Sequence, residues 1–208
     1  KIFTIHIQNP KINSKHFDCV VAPNHDGLYG TNVINSIGAL HQFTKDKINN
    51  YNKNFKTIEK ENLVSVIIGG KNRHYKFSLE IAKNIIEKIK KLKKKFNNYN
   101  FLIIASRRTD KEVINLFQKQ LGSFAFIWDK KSKNPYLYAL KNSKFFILTS
   151  DSSSMISECA FTGKPIYIYH LPFKRNSLRF ENFHSEFDKM NITRKFKDDL
   201  ENWEYKFL

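Results

Sequence analysis

Residues 148–172 read LTSDSSSMISECAFTGKPIYIYHLP. The apolar run over 145–148 predicts a buried parallel strand, and the polar cluster over 149–154 a loop. Met155, Cys159 and Phe161 then recur at helical spacing. Gly163 suits the left-handed turn that ends a helix, and Pro165 opens a second apolar strand over 166–169. The unit is strand, loop, helix, strand. It gathers hydroxyls and free backbone N–H groups at a helix N-terminus beyond a strand's carboxyl end, where open α/β sheets bind anionic ligands. Glu158 falls one turn inside that helix. A carboxylate there repels phosphate but suits the hydroxyls of an attached ribose, so the pattern points to a nucleotide or nucleotide-sugar pocket.

The same alternation extends outward on both sides. Strands are predicted at 63–68, 101–105 and 124–128, and helices over 75–95 and about 110–121. A short helix opens at Asn134-Pro135, with proline at its first position, and reaches Leu140. Five strands separated by helices require right-handed crossovers and a parallel sheet covered on both faces. The fold class is therefore α/β, a Rossmann-like parallel sheet with helices on both faces. Upstream, residues 2–7 and 17–21 read as strands joined by a turn carrying Pro10, followed by the glycine-punctuated loop PNHDGLYG at 23–30 and an apolar segment at 33–40. Residues 44–62, rich in Asn and Lys, are the expected interdomain linker. Residues 177–190 and 197–207 are expected to be terminal helices, with Trp203, Tyr205 and Phe207 anchoring the tail.

A length of 208 residues suits one domain, or one domain and part of another. The chain begins at Lys1 with a strand following at once, so it is expected to be a fragment lacking an N-terminal portion. No apolar run approaches the roughly 18 residues that cross a bilayer, and no signal peptide opens the chain. Cys19 and Cys159 are expected to be buried free thiols, which fits a reducing, cytoplasmic location.

The formal charge of +17 raises nucleic-acid binding. Abundant Lys, Asn, Ile and Phe with little Gly, Ala or Pro is instead the mark of AT-rich codon use. The one dense basic run, 88–95, shares a helical pattern with Phe77, Ile81, Ile85, Ile89, Leu92 and Phe96. It reads as the solvated face of a helix that covers the sheet.

Parallel strands bring their following loops to one edge. Gly69 and Gly70 permit close backbone approach, Lys71, Arg107 and Arg108 supply cations, and Ser152, Ser153 and Ser154 supply donors. Each has a plainer reading: a turn, a solvated surface and an N-cap. Convergence is what favours a ligand site. His25 beside Asp26 is the candidate general base, although HDG is also a good turn. No His or Cys pair has metal-ligand spacing, and neither a nucleophile elbow nor a Walker loop is present. No metal is expected.

Six motifs, taken in order, resemble one family. They are PNHDGLYGTNVINSIGALHQFT, VIIGGKNRHYKF, ASRRT, FIWD…NPYLYAL, TSDSSSMISECAFTGKPIYIY and the late Arg179-Phe180. Together they are similar to the mitochondrial-fission "elongated mitochondria" family, whose members resemble glycosyltransferases built from two Rossmann-like domains (GT-B). The resemblance implies the end of an N-terminal Rossmann-like domain plus linker at 1–55, a complete nucleotide-sugar-binding domain at 56–195 and a helical tail at 196–208. It implies ribose on Glu158, diphosphate on Ser152–Ser154 and the base against the loop over 129–136, which includes Asn134. It leaves His25 as the remnant catalytic candidate. A nucleoside-diphosphate sugar would be the substrate, with no further cofactor and with protein cations in place of a metal. A non-catalytic adaptor that binds protein partners or the inner membrane face is the alternative.

Overall fold

A computed structural model describes residues 2–206. The strand over residues 63–68, LVSVII, lies at its centre. All six residues of this strand, β4 (Leu63–Ile68), are buried, because a parallel strand covered on both faces has no polar side to show. Its one hydroxyl, Ser65, is paired with Ser143 Oγ at 2.7 Å. Around it stand β5 (Asn100–Ala105), β6 (Ala125–Ile127), β7 (Phe145–Thr149), β8 (Ile166–Tyr169) and β9 (Thr193–Lys195). The order is β6-β5-β4-β7-β8-β9 and every pairing is parallel. The chain starts in the middle, builds one half of the sheet, then returns across β4 to build the other. The point of return, between β4 and β7, is where such sheets open a crevice at their carboxyl edge.

Two helical layers cover the sheet. On one face α2 (Leu79–Lys95) and α3 (Lys111–Leu121) bury Ile85, Ile86, Ile89, Val113 and Phe117 against Val64, Val66 and Ile68. On the other, α1 (Lys45–Asn49), α4 (Tyr136–Asn142), α5 (Ser153–Ala160) and α6 (Leu178–Lys189) close over Leu63, Ile67, Phe146 and Leu148. A second, smaller parallel sheet precedes them: β1 (Ile5–Ile7), β2 (Cys19–Pro23) and β3 (Val33–Ser36), in that order. Val20 and Ala22 are buried, while Ile5, Ile7 and Ile34 are exposed.

The small sheet is tied to the large one by its loops. Asn24 Nδ2 donates to Glu186 Oε1 at 2.6 Å, and Ala39 N donates to Ser157 Oγ at 2.9 Å. Gly38 takes φ +68°, and a Cβ there would fall 2.5 Å from Ser157 Oγ and 2.8 Å from the Phe187 ring. Only glycine fits that path.

Several sequence expectations need correction. The helix predicted from 75 starts at Leu79, because Ser78 caps it, accepting from Ile81 N. Tyr75 instead bridges Phe173 and stacks on its ring at 4.7 Å. The short helix starts at Tyr136, with Pro135 as its cap residue and Asn134 Oδ1 accepting from Tyr136 N at 2.9 Å. The expected linker over 44–62 contains α1, and its Ile48 and Ile58 are buried in the core. Lys141 Nζ donates to Asn49 O and Tyr51 O, which holds the segment down.

The strand expected over 2–7 spans only Ile5–Ile7, and Cys19, expected buried, is half-buried at the sheet face. A sixth strand, β9, was not expected. Residues 197–206 are not helical: Asp198 has φ +66°, and Asp198 and Asp199 are drawn onto Lys88 and Lys95 of α2. Trp203 and Tyr205 do anchor the tail, on Asn191 O and on Ala160 O and Lys164 O. Phe207 lies outside the described residues.

Phe187 supports both the large core and the path of Gly38, and it is fully buried. Phe187→Ala is expected to cost about 3–5 kcal/mol, read as a lower urea midpoint.

Candidate functional site

The site is built around the carboxylate of Asp151, just past the end of β7. Its side chain has no exposed surface. It accepts from Thr149 Oγ1 at 2.6 Å, from Gly70 N at 3.1 Å and from Arg108 Nη2 at 2.5 Å. Those partners come from the end of β7 and from the loops after β4 and β5. Thr149 Oγ1 in turn accepts from Gly69 N at 2.8 Å, and Thr109 Oγ1 donates to Ile68 O and Gly69 O. A buried carboxylate persists only with such hydrogen bonds and a counter-charge. Here they weld three loops into one rim.

The glycine pair follows from this packing. A Cβ at Gly69 would lie 2.0–2.3 Å from the Asp151 carboxyl atoms, and one at Gly70 would lie 2.2 Å from Arg108 O. The close approach that the two glycines permit is to the chain's own rim. Lys71 is exposed and pairs with Asp110 at 3.0 Å. Arg107 is exposed, with no ion pair among the described residues, whereas Arg108 spends its guanidinium on Asp151.

Beyond Asp151 the chain enters α5. Ser152 is the N-cap, accepting from Met155 N at 3.4 Å. Ser153 is buried, its carbonyl accepting from Ser157 Oγ, and Ser154 faces solvent. One turn on, Glu158 is half-buried and accepts a 2.5 Å hydrogen bond from Tyr136 Oη, at the start of α4. Burial raises the Glu158 pKa and the Tyr136 bond opposes that rise; Tyr136 is itself raised well above its usual value, by burial first. The exposed Asn134 immediately precedes Tyr136 and Pro135. The loops after β6 and β7 therefore meet at Glu158.

Residues 35–43 lie over this side. The Phe43 ring is 6.0 Å from Tyr136, and a hollow of about 420 Å³ is lined by Ile37, His41, Phe43 and Phe161. A larger cavity of about 1070 Å³ sits elsewhere, at the outer edge of β6. It shares Thr109 and residues 129–133 with the rim but none of Gly69, Arg108, Ser153 or Glu158.

His25 belongs to a different cluster. It lies in a 3-10 turn after β2, and its side chain has no exposed surface. Arg179 of α6 bonds Asp26 and brings its Nη2 to 3.3 Å from His25 Nε2, and Phe183 meets the ring edge-on at 5.0 Å. His25 Nδ1 has no hydrogen-bond partner among the described residues. Burial first, then Arg179, lowers the His25 pKa to about 4, with Asp26 opposing. His184, whose Nε2 lies 2.9 Å from Ser150 O, is likewise lowered to about 4, mainly by burial.

Sequence reasoning gave no individual role to Asp151, Thr149 or Arg179 and included Tyr136 only as the end of the loop over 129–136. A lone acid after a strand looks like any N-cap, and nothing in the spacing distinguishes a hub. Among the described residues no cluster of three or more His, Cys, Asp or Glu is placed to hold a metal, and no helix is long and apolar enough to cross a membrane.

Solved structures share the fold. A glycotransferase of kitacinnamycin superposes with a TM-score of 0.53 at 12% identity, covering 87% of this chain and 42% of that one. The UDP-GlcNAc 2-epimerase of Neisseria meningitidis, bound to UDP-GlcNAc, gives 0.52 at 16%, covering 91% and 59%. The architecture is GT-B-like. An uncharacterized protein of Rickettsia prowazekii is 35% identical over 153 residues, 69% of this chain and 42% of that protein. The mitochondrial fission protein ELM1 of Arabidopsis thaliana is 26% identical over 239 residues, 98% of this chain and 54% of that protein. The chain thus spans about half the length of these relatives. The model of the mitochondrial fission ELM1 family matches residues 1–208, and the chain belongs to that family.

Proposed function

We propose that this chain is the nucleotide-sugar-binding portion of a GT-B-like glycosyltransferase. One observation carries the reading: Glu158, on the helix that opens beside the switch point, is oriented by Tyr136 and lies nearly two turns past the N-cap Ser152. A carboxylate so held accepts hydrogen bonds from vicinal hydroxyls such as those of ribose. The α5 N-terminus and exposed Arg107 offer donors and charge to a diphosphate. The neighbour whose structure holds UDP-GlcNAc supports this chemistry for a fold of the same kind.

In transfer, the bond from the anomeric carbon to the diphosphate oxygen breaks and a bond to an acceptor oxygen forms. Charge grows on the departing diphosphate, where preorganised donors act most strongly. The acceptor's proton needs a base. His25 is neutral and enclosed, with Nε2 against Arg179, so in this arrangement it positions the loop rather than meeting a ligand.

A second reading is a non-catalytic adaptor of the same fold, which docks a protein or the surface of a membrane. It is favoured by the pairing of Arg108 with Asp151, which leaves the rim with fewer free cations than its sequence suggests.

A thermal-shift series with UDP, GDP and their sugar conjugates separates the two. A ligand at about a hundred times its dissociation constant should add roughly 2.7 kcal/mol. Glu158→Gln should abolish most of that shift and leave the unliganded protein as stable or more so at neutral pH, since burial penalises the charge it removes. No shift with any nucleotide would reject the donor-site reading.

The buried histidines give a separate pH signature. Each binds its proton more weakly when folded than when unfolded, so the unfolded state takes up more protons as pH falls. Stability is fully present above the usual histidine pKa of about 6.5 and is lost as pH falls from there toward about 4. Urea midpoints measured across that window should fall for the unmodified chain. They should fall less for His25→Gln, which keeps the volume without the titration.

A further inference from the structure

The edge of the large sheet at β6 borders a cavity that shares Thr109 and the loop over 129–133 with the rim but does not reach Glu158 or the start of α5. The cavity of about 1070 Å³ runs beside β6 between α3, which contributes Ile114 and Gln118, and the segment carrying Phe55 and Lys56. A second hollow of about 380 Å³ shares Thr57 and Phe126 and continues along the strand to Gly122. The two together make an elongated groove that follows the strand.

Its floor is unpaired backbone. Among the described residues β6 pairs with β5 alone. Trp128 donates its N–H to Ile103 O at 2.9 Å. By the alternation of a parallel ladder Phe126 also faces β5, so the N–H and C=O groups of Ala125 and Ile127 point into the groove. Such an edge is a template for another strand.

Its walls are cationic. Lys56, Lys111, Lys130, Lys131 and Lys133 line it, and none forms an ion pair among the described residues. The acid among them, Asp129, is turned onto its own loop, accepting from Lys131 N, Ser132 N and Ser132 Oγ. Elsewhere, on α2, Lys88 and Lys95 have carboxylate partners. Lysines also guard edge strands against unwanted pairing, but a guarded edge needs no walled hollow. Phe55, which also lines the cavity, has Lys133 Nζ 5.5 Å from its ring centroid and meets Tyr138 edge-on at 5.3 Å.

We infer that this groove receives an extended peptide segment of alternating acidic and apolar residues, which adds as a strand to the outer edge of β6. Its backbone meets Ala125 and Ile127, its apolar side chains pack on Ile114 on the α3 face, and its carboxylates, on the opposite face of the added strand, meet Lys56 and Lys133 beside Phe55.

The test is fluorescence anisotropy on the whole 208-residue chain with a labelled peptide of alternating Glu and Val, about eight residues long. Saturable binding is expected. It should weaken at least about tenfold in the double variant Lys131→Glu, Lys133→Glu, whose positions are exposed and whose fold should persist. It should weaken equally when alternate peptide nitrogens are methylated, which removes strand hydrogen bonds and leaves the charge. Hydrogen exchange at Ala125 and Ile127 should slow with the peptide bound. Absent binding, or binding indifferent to methylation, overturns the proposal. So does an oligothymidylate that occupies the groove where the peptide does not.

Discussion

Three loops of the large sheet converge because one buried carboxylate holds them. Asp151 has no exposed surface, and its oxygens are satisfied by a hydroxyl, a backbone amide and a guanidinium drawn from the ends of β7, β4 and β5. Burying an ion without such partners would be prohibitive, so the loops can depart from this arrangement only together. The glycines at 69 and 70 are the steric condition for it. α5 leaves the same corner, which gives the position of Glu158 relative to the rim a physical cause.

The interaction also reassigns charge. Counted along the chain, Arg107 and Arg108 look like a pair of phosphate ligands. In the fold one is spent on an internal acid and the other is exposed. The lysines divide in the same way. Those of α2 that reach Asp198 and Asp199 fasten the tail, whereas those lining the groove at β6 have no carboxylate partner among the described residues. The formal charge of +17 therefore includes lysines bound into the fold as well as lysines left without a carboxylate partner among the described residues.

Much of the architecture was legible because burial on both faces leaves a strong mark. β4, β5, β7 and β8 are largely apolar runs, with Ser65 as the one polar residue inside a strand, and α2 carries its apolar stripe at helical spacing. β9 was invisible: Thr-Arg-Lys at a sheet edge has neither alternation nor an apolar run, and it pairs only because α6 delivers it beside β8. The tail misled in the opposite direction. Its charged and aromatic residues suggest a helix face, but its aspartates are claimed by α2 and its aromatics by distant carbonyls. Residues 44–62 look like a polar linker because two buried isoleucines, Ile48 and Ile58, are too few to make a pattern.

The amino-acid order alone determined the strand–helix alternation, the parallel class of the sheet and which loops would share an edge, since hydrophobic periodicity and chain handedness are local or nearly local properties. It also carried the family resemblance. Only the tertiary structure decided what each polar side chain in those loops does. Asp151 became a hub, Arg108 its counter-charge, Tyr136 the support of Glu158 and His25 an enclosed neutral ring. Those roles depend on partners from 22 to 154 positions away in the chain, and no local pattern encodes the meeting of charges that distant in sequence.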